Sequence, residues 1–76
     1  MEVKVHLYGH LKYQSKMPQP FQVELELGTT GRELFKRLDI NENEVVLFAV
    51  NGKLRDLDEK LESGDQVALF PPVDGG

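Results

Sequence analysis

The segment of this chain best suited to chemistry is its last six residues, Pro71-Pro72-Val73-Asp74-Gly75-Gly76, and the reactive group they offer is a main-chain carboxyl. Gly75 and Gly76 have no side chains, so they can pass a narrow channel and approach catalytic atoms closely. Pro71 and Pro72 hold the first half of the segment extended at low entropic cost, which pre-organises it for insertion. Fully extended, the segment spans about 20 Å at roughly 3.3 Å per residue. An unhindered carboxylate delivered at that distance from a globular body suits adenylation followed by attack on the acyl-adenylate. Glycine makes up about 7% of average sequences, so a terminal pair arises by chance in roughly one protein in two hundred. The competing account is a frayed end or a cloning remnant, since termini are usually disordered. The local context argues against it. Phe70 closes a strand pattern, two prolines stiffen the exit, and only the final two residues are free to flex.

Other chemistries are poorly supplied. There is no cysteine, which removes disulfides, thiolate zinc sites and cysteine nucleophiles together. His6 and His10 are four apart, a spacing that aligns ligands on a helix, but they fall on a strand pattern and in a loop with no acidic residue beside them. No metal site is expected from them. No serine–histidine or paired-carboxylate arrangement stands out, so the chain is expected to be acted on by enzymes and not to be one. Nine basic residues against thirteen acidic ones give a formal charge of −4. That balance disfavours nucleic acid and anionic membrane surfaces as partners. The longest unbroken apolar stretch, Val45 to Val50, is far too short to cross a bilayer. The N-terminus opens directly on a strand pattern and lacks the basic region and apolar core of a signal peptide, so a cytoplasmic location is expected.

The elements that must position the tail can be read from hydrophobic period. Seventy-six residues make one domain, 1–70 as the folded body and 71–76 as a flexible tail. A body this small buries only about 60% of its unfolded surface, so its stability is modest. Met1 to Tyr8 alternates, with Val3, Val5 and Leu7 inward and Lys4, His6 and Tyr8 outward, which predicts a half-buried strand. Gly9 to Pro20 reads as a loop, pinned to the body by Leu11, Tyr13 and Met17. Phe21 to Leu27 alternates again, with Phe21, Val23, Leu25 and Leu27 inward, so the two strands form an antiparallel hairpin. Thr30 and Glu33 have the spacing of a capping box, predicting a helix over about Gly31 to Asp39, with Leu34, Phe35 and Leu38 on its buried side and Gly31 as a weak point. Val45 to Val50 predicts a strand with Val46, Phe48 and Val50 inward, followed by an Asn51-Gly52 turn. Leu54 to Leu61 is acidic and irregular. Ser63-Gly64-Asp65 is a turn, and Gln66 to Phe70 is the last strand, with Val67 and Leu69 inward. The prolines after it donate no hydrogen bonds and end it as a central strand.

The resulting order, β-β-α-β-β, is that of an α+β fold, the ubiquitin-like β-grasp, in which one helix packs across a small mixed sheet. Other small α+β folds share the order. The stretch Val50-Asn51-Gly52-Lys53-Leu54 and the run from Ser63 through Phe70-Pro71-Pro72-Val73-Asp74-Gly75-Gly76 resemble the C-terminal half of the MoaD/ThiS family of sulfur carriers. The ending F-P-P-V-x-G-G is typical of the MoaD branch, and Gly28-Thr29-Thr30 leading into a leucine-containing helix also fits. The likeness covers nearly the whole chain and is strongest after residue 45; Gly9 to Pro20 departs from it most.

That resemblance implies a set of roles. An adenylyltransferase of the ubiquitin-activating type would use Mg-ATP to adenylate the Gly76 carboxyl, with Gly75 beside it, and a sulfur donor would convert the adenylate to a thiocarboxylate. A second enzyme would take the sulfur; in the MoaD branch this is the large subunit of molybdopterin synthase, which makes the molybdenum or tungsten cofactor. The chain itself would bind no cofactor. With no cysteine present, sulfur carried here has no side-chain thiol to sit on. The resemblance also places partner-contacting apolar residues at Tyr8, Leu54 and Phe70. Alternation adds Ala49 to that face, and Pro71, Pro72, Val73 and Asp74 would enter the partner with the tail. The opposing possibility is that the Gly9 to Pro20 loop folds over and covers the face. Asp56, Asp58, Glu59, Glu62 and Asp65 form an acidic set that would steer a basic partner or simply be solvated surface. Three alternatives stay open: a ThiS-like carrier for thiamin or another thio-cofactor, a modifier forming isopeptide bonds through Gly76, and an interaction domain with an inert tail.

Overall fold

The computed structural model describes residues 1–72. Five strands form one mixed sheet: β1 (Glu2–Leu7), β2 (Phe21–Glu24), β3 (Leu47–Val50), β4 (Lys53–Leu54) and β5 (Gln66–Phe70), in the spatial order β2-β1-β5-β3-β4. β1 runs antiparallel to β2, with Val3 opposite Val23 and Val5 opposite Phe21. On its other side it is parallel to β5, with Val5 opposite Val67 and Leu7 opposite Leu69. Alternation therefore delivers Val3, Val5, Leu7, Val67 and Leu69 to one face, where all are buried. A parallel pair cannot be joined by a tight hairpin, and the rest of the chain serves as the crossover.

That crossover contains the main helix, α2 (Gly31–Arg37). Its capping box forms as the spacing predicts: the Glu33 N–H donates to Thr30 Oγ1 at 3.2 Å, and the Thr30 N–H donates to Glu33 Oε1 at 3.1 Å. Leu34 and Phe35 are buried on the inner face of the sheet, and Phe35 meets Phe48 edge-on with centroids 5.5 Å apart. The helix stops at Arg37, two residues before the expected end. The Asp39 N–H returns to the Lys36 carbonyl and the Ile40 N–H to that of Phe35, the paired bonds of a Schellman stop, with Asp39 at φ 57° where glycine is commoner. A single 3-10 turn, Glu42–Glu44, then leads into β3. The Asn51-Gly52 pair makes the β3–β4 turn with both residues at positive φ, as two-residue hairpins of this hand require.

Several expectations do not survive. Residues 9–20 are not all loop, since a short helix, α1 (His10–Ser15), occupies the first half. Only Leu11 pins it to the core; Tyr13 and Met17 are exposed. One turn on from Leu11 stand Gln14 and Ser15, so this helix has a single apolar contact to offer. Leu27 is exposed, because β2 ends at Glu24 and the chain turns at Glu26–Thr29, where the Thr29 hydroxyl donates to the Glu26 carbonyl at 2.6 Å. Val46 faces solvent as well: β3 begins at Leu47, and the chain entering it from the 3-10 turn packs Val45 against the core instead.

Gly31 is a requirement and not a weak point. A Cβ at this position would lie 2.6 Å from Phe48 Cζ and 2.8 Å from Cε2, and that ring is buried and locked against Phe35. Alanine is the better helix former by ~1 kcal/mol, but the clash outweighs it, since overpacking a filled core costs about 1–3 kcal/mol. Gly31→Ala is thus expected to lower stability by up to ~2 kcal/mol, read as an earlier midpoint in urea.

Candidate functional site

The outer face of the sheet, away from α2, is built by the same alternation that fills the core. Register places His6 opposite Ala68, Ala68 opposite Ala49, and Ala49 opposite Leu54, so one row of outward side chains crosses four strands. In the next row Leu47 stands opposite Phe70, and the Tyr8 ring stacks on Phe70 with centroids 4.4 Å apart and 9° between planes. The His6 ring stacks on the other side of Tyr8 at 4.3 Å and 14°. Three rings thus form one continuous stack, two short alanines leave the middle of the face low, and Leu54 stands 67% exposed beyond them. Tyr8, Ala49, Leu54 and Phe70 all lie on this face. Leu47 and His6 belong to the same face. The alternation that placed Ala49 outward pointed to both, but His6 invited reading as a metal ligand.

The face is open. Leu11 draws α1 into the core, and the segment 9–20 leaves Tyr8 37% exposed. Beside the ring stack, an open groove of about 400 Å³ is lined by Tyr8, Gly9, Val46, Leu47, Phe70, Pro71 and Pro72. Here the chain leaves the sheet. The Tyr8 N–H donates to the Leu69 carbonyl at 3.1 Å and the Val46 N–H to the Phe70 carbonyl at 2.8 Å, from opposite sides. Pro71 has no N–H with which to continue, so the ladder stops at the strand's last residue. Val73, Asp74, Gly75 and Gly76 lie outside the described residues.

The remaining candidates separate. His10 Nε2 lies 3.9 Å from Glu44, while His6 is committed to the stack, so the two histidines do not converge. Among the described residues no group of three or more His, Asp or Glu side chains is placed to hold a metal, and no helix is long and apolar enough to cross a membrane. The acidic set does not form one surface. Asp58 pairs with Arg32 at 3.1 Å and Glu59 with Arg55 at 2.7 Å. The Arg32 guanidinium is held above its ordinary pKa, first by its hydrogen bond to Asp58 and then by that to Glu42. Asp65 is buried, not exposed. Its carboxylate accepts from Asn51 Nδ2 at 2.9 Å and from the Glu62 N–H at 2.7 Å, so it is a structural tie between the last two turns.

The model of the ThiS family matches residues 5–76. No curated protein matches the chain in sequence. Among solved structures, a Pyrococcus furiosus protein assigned as molybdopterin converting factor subunit 1 superposes with a TM-score of 0.78 at 29% identity, covering 96% of this chain and 99% of that one. A chain of the complex of subunits 1 and 2 of the molybdopterin-converting factor from Helicobacter pylori matches at 30% identity and a TM-score of 0.66, with both chains fully covered. The small archaeal modifier protein 1 of Haloferax volcanii gives a TM-score of 0.80 at 21% identity, covering 95% of this chain and 98% of that one, a likeness of fold alone. The expected β-grasp is the observed fold.

Proposed function

Because the chain belongs to the ThiS family of ubiquitin-fold sulfur carriers, we propose that it carries sulfur as a thiocarboxylate on Gly76 and hands it to a pterin precursor in molybdopterin synthesis. The observation that carries this reading is the exit of the chain: the last strand ends in an exposed aromatic stack, and directly after it stand the two prolines of the F-P-P-V-x-G-G ending. The likeness to the two molybdopterin-converting factors supports the choice of pathway. In the first step a Gly76 carboxylate oxygen attacks the α-phosphorus of ATP on the activating enzyme, and pyrophosphate leaves. Hydrosulfide, as the sulfur donor, then attacks the acyl carbon through its sulfur; the acyl–phosphate bond breaks, AMP leaves, and loss of the S–H proton gives the thiocarboxylate. Adenylation supplies the leaving group that a bare carboxylate lacks. The product thioacid is a far better nucleophile at neutral pH than the carboxylate it replaces. Catalytic bases and the ATP site belong to the partners; this chain supplies the reacting end and the surface that docks it.

The test is intact-mass analysis of the full chain incubated with an activating enzyme, Mg-ATP and a sulfur donor, then with the pterin acceptor and a molybdopterin synthase large subunit. The expected result is exchange of one C-terminal oxygen for sulfur, reversed when the acceptor is added. Sulfur discharged only to a thiazole-forming enzyme would assign the chain to thiamin synthesis instead. A ladder of lysine conjugates without sulfur exchange would make it a modifier, and neither product would leave the tail inert.

The outer face gives a separate prediction. Phe70 is half-buried, contributes to the stack and lies outside the core, so Phe70→Ala removes contact area without opening a cavity. Aromatic anchors at the centre of an interface are typically worth ~2 kcal/mol or more. The variant is expected to bind the activating enzyme about 30-fold more weakly, as measured by calorimetry, while keeping its thermal midpoint within a few degrees. Unchanged affinity would reject this face as the docking surface.

A further inference from the structure

The two residues that follow β1 meet the last residue of β5 and the first of the tail. Tyr8 stacks on Phe70, and Gly9 faces Pro71. The second contact is the tighter. A Cβ at Gly9 would sit 2.7 Å from Pro71 Cγ, closer than real Cβ atoms approach, and 3.4 Å from its Cδ. Gly9 also holds φ 59° and ψ −142°, a backbone region essentially reserved for glycine. The bare backbone of Gly9 forms a notch in which the Pro71 ring seats.

This contact lies one residue beyond the last ladder hydrogen bonds. Up to Phe70 the strand's course is fixed from both sides, by Tyr8 and by Val46. After it, Pro71 has no donor, and the seat at Gly9 takes over. Pro71 has a fixed φ of its own, so holding its ring sets the direction in which the following residues start out. We propose that Gly9 is a positioning residue for the tail: it aims the chain leaving the sheet, so that a partner docked on the outer face meets the carboxyl group in line with its active site. This rests on the carrier reading given above. The expected kinetic signature is specific, because aim and docking are separate. A reacting group displaced by about 1 Å can lose on the order of 100-fold in rate while binding elsewhere is unaffected.

The experiment compares wild type, Gly9→Ala, Pro71→Ala and the double variant, with an activating enzyme that adenylates the wild-type chain. Single-turnover pyrophosphate release reports the chemical step, and calorimetry reports docking. Gly9→Ala is expected to slow release at least 10-fold with its dissociation constant within 3-fold of wild type, and the double variant is expected to be no slower than the slower single variant, because both changes unseat the same ring. Nuclear Overhauser contacts between Gly9 Hα and the Pro71 ring should be present in wild type and absent in Gly9→Ala, while those across the Tyr8–Leu69 rung persist. Adenylation of Gly9→Ala at the wild-type rate would overturn the proposal. So would rate losses that multiply in the double variant, since Gly9 would then act independently of Pro71, through backbone strain in the turn. If wild type itself is not adenylated, the carrier reading fails, and the Overhauser contacts alone decide whether Gly9 seats Pro71.

Discussion

A chain shortened by Gly75 and Gly76 is expected to lose thiocarboxylate formation entirely while keeping its fold and its affinity for the activating enzyme. The body ends its hydrogen-bonded ladder at Phe70, and the core residues all lie between Val3 and Leu69, so removing the last two residues takes nothing from either. What is lost is reach and access. Removing two extended residues withdraws the carboxyl by about 7 Å and leaves it on Asp74, whose side chain crowds the approach. Since a displacement of about 1 Å can cost on the order of 100-fold, a withdrawal of that size leaves no measurable reaction. The check is paired: mass spectrometry for sulfur exchange, and calorimetry for binding. A truncated chain that still accepts sulfur would end the carrier reading.

The largest stability effect is expected at Asp65. It is the one buried charged side chain among the described residues, and both of its carboxylate oxygens are used. Asn51, on the β3–β4 turn, donates its side-chain amide to Asp65 and accepts the Gln66 N–H on its own Oδ1 at 2.9 Å. The Lys4 N–H donates to the Asp65 carbonyl at 2.9 Å, so one residue ties the β3–β4 turn to the junction of β1 and β5. Asp65→Ala strands the Asn51 amide and the Glu62 N–H. With each stranded donor costing about 1–3 kcal/mol, a loss of ~3 kcal/mol is expected. In a domain of this size each kcal/mol moves the thermal midpoint by about 4–8 °C, so melting should fall by roughly 12–24 °C. Asp65→Asn, which retains an acceptor for one of the two donors, should lose about half as much.

The fold was legible where pattern and local chemistry agree. Val3-Val5-Leu7 and Val67-Leu69 needed only alternation, Thr30 and Glu33 only their spacing, and Asn51-Gly52 only its turn chemistry. What failed depended on information that is not local. α1 has no capping side chain and one core residue, so nothing in its six letters distinguishes it from a loop. Leu27 and Val46 sit at strand ends, where a turn breaks the alternation that a sequence reading extends by habit. Asp65 looked like surface charge because its partners are 14 and 3 residues away and converge only in the fold. Gly31 looked like a defect because the Phe48 ring that demands it comes from a distant strand. On the outer face Tyr8, Ala49 and Phe70 could be read outward one strand at a time, and the family likeness supplied Leu54. Their union with Leu47 and His6 required the strand order. The seat of Pro71 on Gly9 joins residues 62 positions apart, and no local pattern carries it.

β5 lies between β1 and β3, although it is made last. A nascent chain that has not yet cleared the ribosome through Phe70 possesses two separate edge hairpins and no sheet to join them. Joining the sheet must therefore await synthesis of β5, and a product cut short by premature termination or proteolysis before Gln66 lacks the continuous outer face. The strand order thus makes the outer face, with its Tyr8–Phe70 stack, complete only once β5 has been made.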